Sequence, residues 1–380
     1  MKSGFDVIVV GLGAMGSCAL GELAARGVRA LGIDRFDPPH ALGSSHGGSR
    51  VIRLSYFEHP DYVPLLRRAY EGFDRLSEEC GESLRRETGL VVGGVPGNAA
   101  SAGMLRSARE HGLEVEAIDG GELRRRYPQF SVPADWEIVT ERRGGFVRPE
   151  ATIRAALARA ARHGAQVLRN TPVSAWGADG SRAWVETAAG RFESGALVLA
   201  GGAWMPGLVD VFARHLQPTR ETIVWLDDQG DPAWQESSMP VWLFDRGLEP
   251  AVYGVPAFEG MGEPRGMKIG LHGRGPAVRP DQISEPVDEA IVRETVSAAV
   301  ERLPSALTRG VAAAKHCLYT MSPDSDFMIG PHPQHPNVAV ACGFSGHGFK
   351  FAPVVGEALA DLATTGHTAL PIRFLHPGRF

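Results

Sequence analysis

Three stretches of this chain hold residues whose types and spacing can do chemistry. The first is Gly11-Leu12-Gly13-Ala14-Met15-Gly16, with Asp34 further on. In such a G-x-G-x-x-G turn the first glycine allows a tight bend and the second lets a pyrophosphate approach the backbone. The third lets helix and strand pack closely. N–H groups at a helix start favour the pyrophosphate charge. A carboxylate in the place of Asp34 accepts hydrogen bonds from a ribose diol and repels a 2′-phosphate. The second stretch is Gly43-Ser44-Ser45-His46-Gly47-Gly48-Ser49-Arg50, continuing to Arg53. Its small residues let backbone lie against a ligand and bring two guanidinium groups near it. A surface loop with ordinary arginines would read the same way. The third is Gly343-Phe344-Ser345-Gly346-His347-Gly348-Phe349-Lys350. There, loop N–H groups and a helix start make a site for developing negative charge, now beside His347 and Lys350.

The elements around these stretches follow from hydrophobic period. Val7-Ile8-Val9-Val10 is a buried strand, Ala19, Leu20, Leu23 and Ala24 share one side of a helix, and Ala30 to Ile33 is a second strand ending at Asp34. A lone glycine motif also suits an ordinary strand-to-helix turn, and glycine is common here, 47 of 380 residues. Strand, helix and acid together favour an ADP-containing dinucleotide and leave NAD and FAD open. Further helices are expected over 61–80, 99–111, 123–127, 289–303 and 352–365, the last capped by Gly366, and another is entered through the glycine-marked 144–150 with Ile153, Ala156, Leu157, Ala160 and Ala161 inward. Strands are expected at Leu90 to Gly94, Gln166 to Leu168, Ala183 to Thr187, Gly195 to Leu199 and Val338 to Cys342. From Glu221 to His272, four short apolar runs separated by Pro, Gly and Asp predict an antiparallel sheet.

Composition narrows the class. Hydrophobic residues make up 43% and charged residues 22%, ordinary for a soluble globular chain, and a net charge of −5 gives no reason to expect nucleic acid or an anionic membrane. No apolar run approaches the roughly 20 residues of a membrane span. Cys18, Cys80, Cys317 and Cys342 are too scattered for a disulfide framework or a zinc site and read as small buried hydrophobes in a reducing cytoplasm. No metal is expected.

With Arg35-Phe36-Asp37-Pro38-Pro39-His40, Arg50-Val51-Ile52-Arg53, Tyr253-Gly254, Lys268-Ile269-Gly270-Leu271-His272 and Cys317-Leu318-Tyr319-Thr320 beside the glycine turn and the final octapeptide, nearly the whole chain resembles one family in order. It is similar to the monomeric sarcosine oxidase and N-methyltryptophan oxidase group of the D-amino-acid-oxidase-like flavoproteins. The resemblance implies FAD rather than NAD, with Cys317 bonded covalently to the flavin. It implies that Arg53 and Lys350 hold the substrate carboxylate, with Tyr253 at the substrate lid. Lys268, Arg50, His272 and His347 are the implied catalytic residues, Lys268 serving oxygen. The implied cofactor contacts are Gly11, Gly13, Ala14, Met15, Gly16, Asp34, Arg35, His40, Ser45, His46, Arg50, Val173, Gly202, Trp204, Cys317, Phe344, Gly346, His347, Gly348 and Lys350.

The implied fold is α/β: a Rossmann-like βαβ FAD-binding domain over 1–80, 145–215 and 317–380. An antiparallel-sheet substrate domain is inserted over 81–144 and 216–316. The implied reaction is oxidation of an N-methyl or cyclic secondary amino acid to an imine, then an aldehyde or keto product, with hydrogen peroxide formed from O2 by a monomeric, cytoplasmic enzyme. A dehydrogenase passing electrons to a quinone or carrier is one alternative. A non-catalytic flavin-binding protein is another. Gly48-Ser49 departs from the Asp-Thr frequent in the family, and 227–238 has no clear counterpart.

Overall fold

Parallel strands covered on both faces need apolar side chains at every position, which is why Val7 to Val10 is an unbroken apolar run. In the computed structural model, which describes residues 4–247, 249–262, 264–273, 275–284 and 286–380, the strand Phe5–Val10 lies between Ala30–Ile33 and Gly190–Leu199, parallel to both. Val7 and Val9 join one core with the helices Ala14–Ala25, Tyr62–Cys80, Pro149–Arg162 and Ala352–Thr365; Ile8 and Val10 join another. Gln166–Leu168 continues the sheet beyond Ala30–Ile33. On the other side, Gly190–Leu199 pairs antiparallel with Ala183–Thr187 through its first half. Its last residues pair in parallel with His335–Cys342. The ends of these strands bring the glycine turn, Ala200-Gly201-Gly202 and the final octapeptide to one edge.

A second sheet has eight strands in the order Val311–Met321, Gln217–Leu226, Met267–Leu271, Glu249–Val255, Val241–Arg246, Leu90–Gly94, Glu137–Glu141, Glu116–Asp119. Alternation gives it two different faces. Val224, Leu226, Ile269, Trp242 and Phe244 pack outward against Ala298 and Ala299 of the helix Glu289–Val300. Ile223, Tyr253, Lys268, Cys317 and Tyr319 line a cavity beneath the other face. A small third sheet joins Arg50–Ile52, Gly145–Val147 and Arg85–Glu87.

The expected antiparallel sheet has one parallel junction, Val241–Arg246 beside Leu90–Gly94, because the latter strand arrives from an earlier part of the chain. Val311–Met321 runs unbroken through residue 317. The strands Glu116–Asp119, Glu137–Glu141 and Val173–Ala178, and all three of the small sheet, escape the sequence reading. Most are short, and Arg85–Glu87, Glu116–Asp119 and Glu137–Glu141 carry a charge at each end. Cys18, Cys317 and Cys342 are buried, whereas Cys80, at its helix end, is half-buried and packs against the edge of the core. Among the described residues no helix is long and apolar enough to cross a membrane.

Candidate active site

The glycine turn shows three separate demands. Gly11 has φ +88°, and a Cβ there would lie 2.6 Å from the carbonyl oxygen of Ala200. A Cβ on Gly16 would meet the Gly11 oxygen at 1.7 Å, so this glycine serves helix–strand packing and does not line the cavity. Gly13, by contrast, faces open space, with only Ser45 Oγ at 3.9 Å. As N-cap of Ala14–Ala25 it has no side chain competing for the first N–H groups. Asp34 accepts from the Leu12 N–H at 2.6 Å and the Phe36 N–H at 2.8 Å, fixing the turn to the end of the second strand. Each oxygen still has a lone pair for a ribose hydroxyl. The Arg35 guanidinium lies 5.0 Å from the ring centre of Phe36 and 4.9 Å from that of Trp204. Glycine cradle, helix start, carboxylate and aromatic shelf together can hold the ADP half of FAD, and the cavity of about 550 Å³ continues from them under the second sheet.

Along that cavity Arg50 donates to Ser49 O and Ser44 O, each at 2.8 Å, and to Cys317 Sγ at 3.2 Å. Burial raises the Cys317 thiol pKa, while Arg50 and Lys268 pull it down. Lys268, 1% exposed, donates to Gly47 O at 3.3 Å and to Ser49 O. Burial, and then neighbouring Arg50, push its pKa well below the usual lysine value, against Glu150 and Cys317.

Beyond lies a second charged group. Arg53 pairs with Glu58, its guanidinium stacked 3.9 Å from the Phe57 ring centre. Its Nε–H has no partner among the described residues. Glu141 accepts from the Leu54 and Ser55 N–H groups at 2.7 and 2.8 Å and so pins the backbone just after Arg53. Burial alone would raise the Glu58 carboxyl, but Arg53, His347 and Lys350 hold it down at about 2. Lys350 donates to His347 O at 2.8 Å; burial and Arg53 depress its pKa to about 7, with Glu58 opposing. The His347 imidazole donates from Nε2 to Ser325 O at 3.0 Å, so its Nδ1 accepts from Tyr56 OH. Burial lowers this histidine to about 4, and with both nitrogens engaged it positions Tyr56 and the loop. His272 meets Tyr319 OH through Nδ1 at 3.3 Å, and burial lowers its pKa too.

Of the residues expected at the site, all line this cavity except Gly16 and His46. His46 is buried, and burial and then Arg50 hold it neutral, its pKa lowered to about 3. Glu58, Glu141, Tyr56, Phe57 and Leu243 were not foreseen. Glu58 stands five residues after Arg53 with no motif around it, and only the fold reveals the pairing.

The family model described as FAD dependent oxidoreductase matches residues 6–362. The chain is 39% identical to a monomeric sarcosine oxidase of Streptomyces avermitilis, over 100% of this chain and 98% of that one. It is 34% identical to an N-methyl-L-tryptophan oxidase of Salmonella arizonae, over 94% of each. Among solved structures, the open form of NikD, described as an unusual amino acid oxidase, superposes with a TM-score of 0.85 at 22% identity, covering 99% of this chain and 98% of that chain.

The lowered pKa of Lys350 has a measurable consequence. A bound carboxylate favours its charged form, so binding above pH 7 must take up a proton that the free site has lost. The affinity of a simple carboxylate ligand is therefore constant below about pH 7. It falls as pH rises further, approaching tenfold per unit, and Lys350→Met abolishes the slope. Calorimetric titration between pH 6 and 9 checks this; a flat profile in the unmodified protein means Lys350 does not face the ligand.

Proposed function

The chain belongs to the FAD dependent oxidoreductase family, in the group of monomeric sarcosine oxidase and N-methyltryptophan oxidase, and on that premise we propose that it oxidises a secondary amino acid, N-methyl or cyclic, with release of hydrogen peroxide. The observation that carries this reading is the pair Arg53 and Lys350, buried at the far end of the cavity that begins at the glycine turn. FAD, held by the glycine turn and Asp34, would supply the hydride acceptor for the carbon beside nitrogen and the route for its electrons to oxygen.

The protein's own residues bind and orient. A carboxylate bridging Arg53 Nε and Lys350 Nζ makes charge-assisted hydrogen bonds in a site shielded from water. Below about pH 7, where Lys350 is protonated, Arg53, Lys350 and Glu58 carry a net single positive charge, which an incoming carboxylate neutralises. Arg50 adds further positive charge, as does Lys268 in its protonated form, so a substrate ammonium is disfavoured and the reactive neutral amine is favoured without a dedicated base.

The test is a substrate panel with peroxide detection. Secondary amino acids react, whereas the matching N-methyl amines lacking a carboxylate lose on the order of 10²- to 10³-fold in kcat/KM, the scale of leaving a buried charge unpaired. Arg53→Lys does not restore the loss produced by Arg53→Ala, because an ammonium cannot reproduce the guanidinium fork. Amines that react as well as amino acids would sink the clamp.

Cys317 is assigned as the covalent anchor. Its sulfur lies beside Arg50, a cation that favours the thiolate. Acid-denatured protein keeps flavin fluorescence on the polypeptide, and Cys317→Ser releases it to the supernatant. Release from the unmodified protein rules the bond out.

Lys268 is assigned to oxygen. A cation in a dry site stabilises the negative charge that oxygen gains on its first reduction. Lys268→Met slows oxidation of the reduced holoenzyme by roughly 10²-fold or more, while anaerobic reduction by substrate changes far less. Equal loss in both half-reactions assigns Lys268 to structure instead.

A further inference from the structure

Side chains on the inner face of the second sheet stand in rows across adjacent strands. One row reads Gly270, Tyr253, Leu243, Val92, each residue paired with the next. A Cβ on Gly270 would fall 2.6 Å from Tyr253 Oη, so the phenol leans over this glycine and away from Leu243. Leu243 is consequently half-buried and faces the cavity, although its neighbours Val241 and Trp242 are fully buried. Leu90, Val92 and Val255, each 1% exposed, line the same cavity. Phe57 links this wall to the Arg53 end, stacking on Arg53 with one face and packing against the core cluster that contains Leu90, Val92 and Val255. None of these five side chains carries a hydrogen-bonding atom.

We propose that this wall receives the substrate's own side chain, so that the preferred substrate is a secondary amino acid with an aliphatic substituent or ring on its carboxylate-bearing carbon. The inference rests on the secondary amino acid reading and narrows it. A substrate held at Arg53 has its α-carbon next to Phe57, and an unsubstituted glycine derivative would leave Leu243 facing an unfilled lobe. Filling an apolar lobe with even one methylene group changes specificity by about tenfold or more. A polar or charged substituent would lose its hydration against these side chains with no partner in exchange.

Non-reactive thioether acids test the lobe apart from turnover. (Methylthio)acetate and 2-methylthio-4-methylpentanoate are titrated against the holoenzyme by flavin absorbance. Oxidation of N-methylglycine, N-methyl-leucine and pipecolate is followed in parallel. The branched acid is expected to bind at least tenfold tighter, and the branched or cyclic amino acids to show the higher kcat/KM. Leu243→Trp, which fills the lobe, should reverse the order while leaving (methylthio)acetate bound, which also shows that the variant is folded. Equal binding of the two acids by the unmodified enzyme overturns the proposal, whatever the variant does. If N-methylglycine is oxidised best, the lobe is wrong and the amino acid reading stands. If no acid binds and no amino acid reacts, that reading falls with it.

Discussion

Arg50 and Lys268 stand in a cavity with little carboxylate beside them, and the loop before Arg50 makes this possible. Charges removed from water must be paired or solvated by fixed dipoles. Here peptide carbonyls do it: Ser44 O and Ser49 O for Arg50, Gly47 O and Ser49 O for Lys268. Gly47 and Gly48 have φ +90° and +76°, a backbone conformation that suits glycine and turns these carbonyls inward. Their N–H groups point the other way, onto Glu150, with Gly47 donating at 2.6 Å. The loop is thus a layer of peptide dipoles between a carboxylate and two cations. Glu150 opens the helix Pro149–Arg162, where a negative charge is itself favoured.

The two faces of the second sheet divide the labour. The outward face buries tryptophan and phenylalanine against a helix and gains its stability there. That leaves the inward face free to carry Lys268, Tyr253, Cys317 and Tyr319, a set that would be a poor core. Glycines tune the spacing on both faces. Gly254 leaves room for the Trp242 indole and Gly270 for the Tyr253 phenol, since a Cβ on either would overlap the ring opposite. Period-two alternation therefore separates the part that holds the sheet together from the part that meets ligand.

The chain is legible wherever local chemistry decides. The βαβ unit, the helix Ala352–Thr365 and its cap at Gly366, with φ +77°, can be read from neighbours in sequence. Both arginines and the octapeptide were recognisable, and the fold brings Arg53 and Lys350 to one cavity. Residues defined by long-range partners stayed hidden. Glu58 matters because it meets Arg53, Glu141 because it holds Leu54 and Ser55 from 86 or 87 residues away, and Leu243 because Tyr253 leans aside. His46 is buried and does not line the cavity, which a histidine in a glycine-rich loop does not announce in sequence. The unforeseen strands owe their pairing to the sheet more than to their own pattern.

Charge balance explains why the Arg53 and Lys350 end of the cavity contains an acid at all. Arg53 and Lys350 alone would be two adjacent buried cations, each depressing the other's proton affinity. Glu58 removes one unit of that repulsion and keeps the guanidinium oriented, while leaving Arg53 Nε–H uncommitted. A second acid in the cluster would neutralise it before any ligand arrived and repel a carboxylate. With one acid and Lys350 protonated, the empty cluster is a single charge short of neutral and the occupied one is balanced. The arrangement therefore favours a monoanionic ligand over a neutral amine, which leaves the deficit, and over a dianion, which overshoots it. An amino acid whose amine has shed its proton is such a monoanion, so on the proposed clamp the charge count that would select a carboxylate would also select the neutral amine.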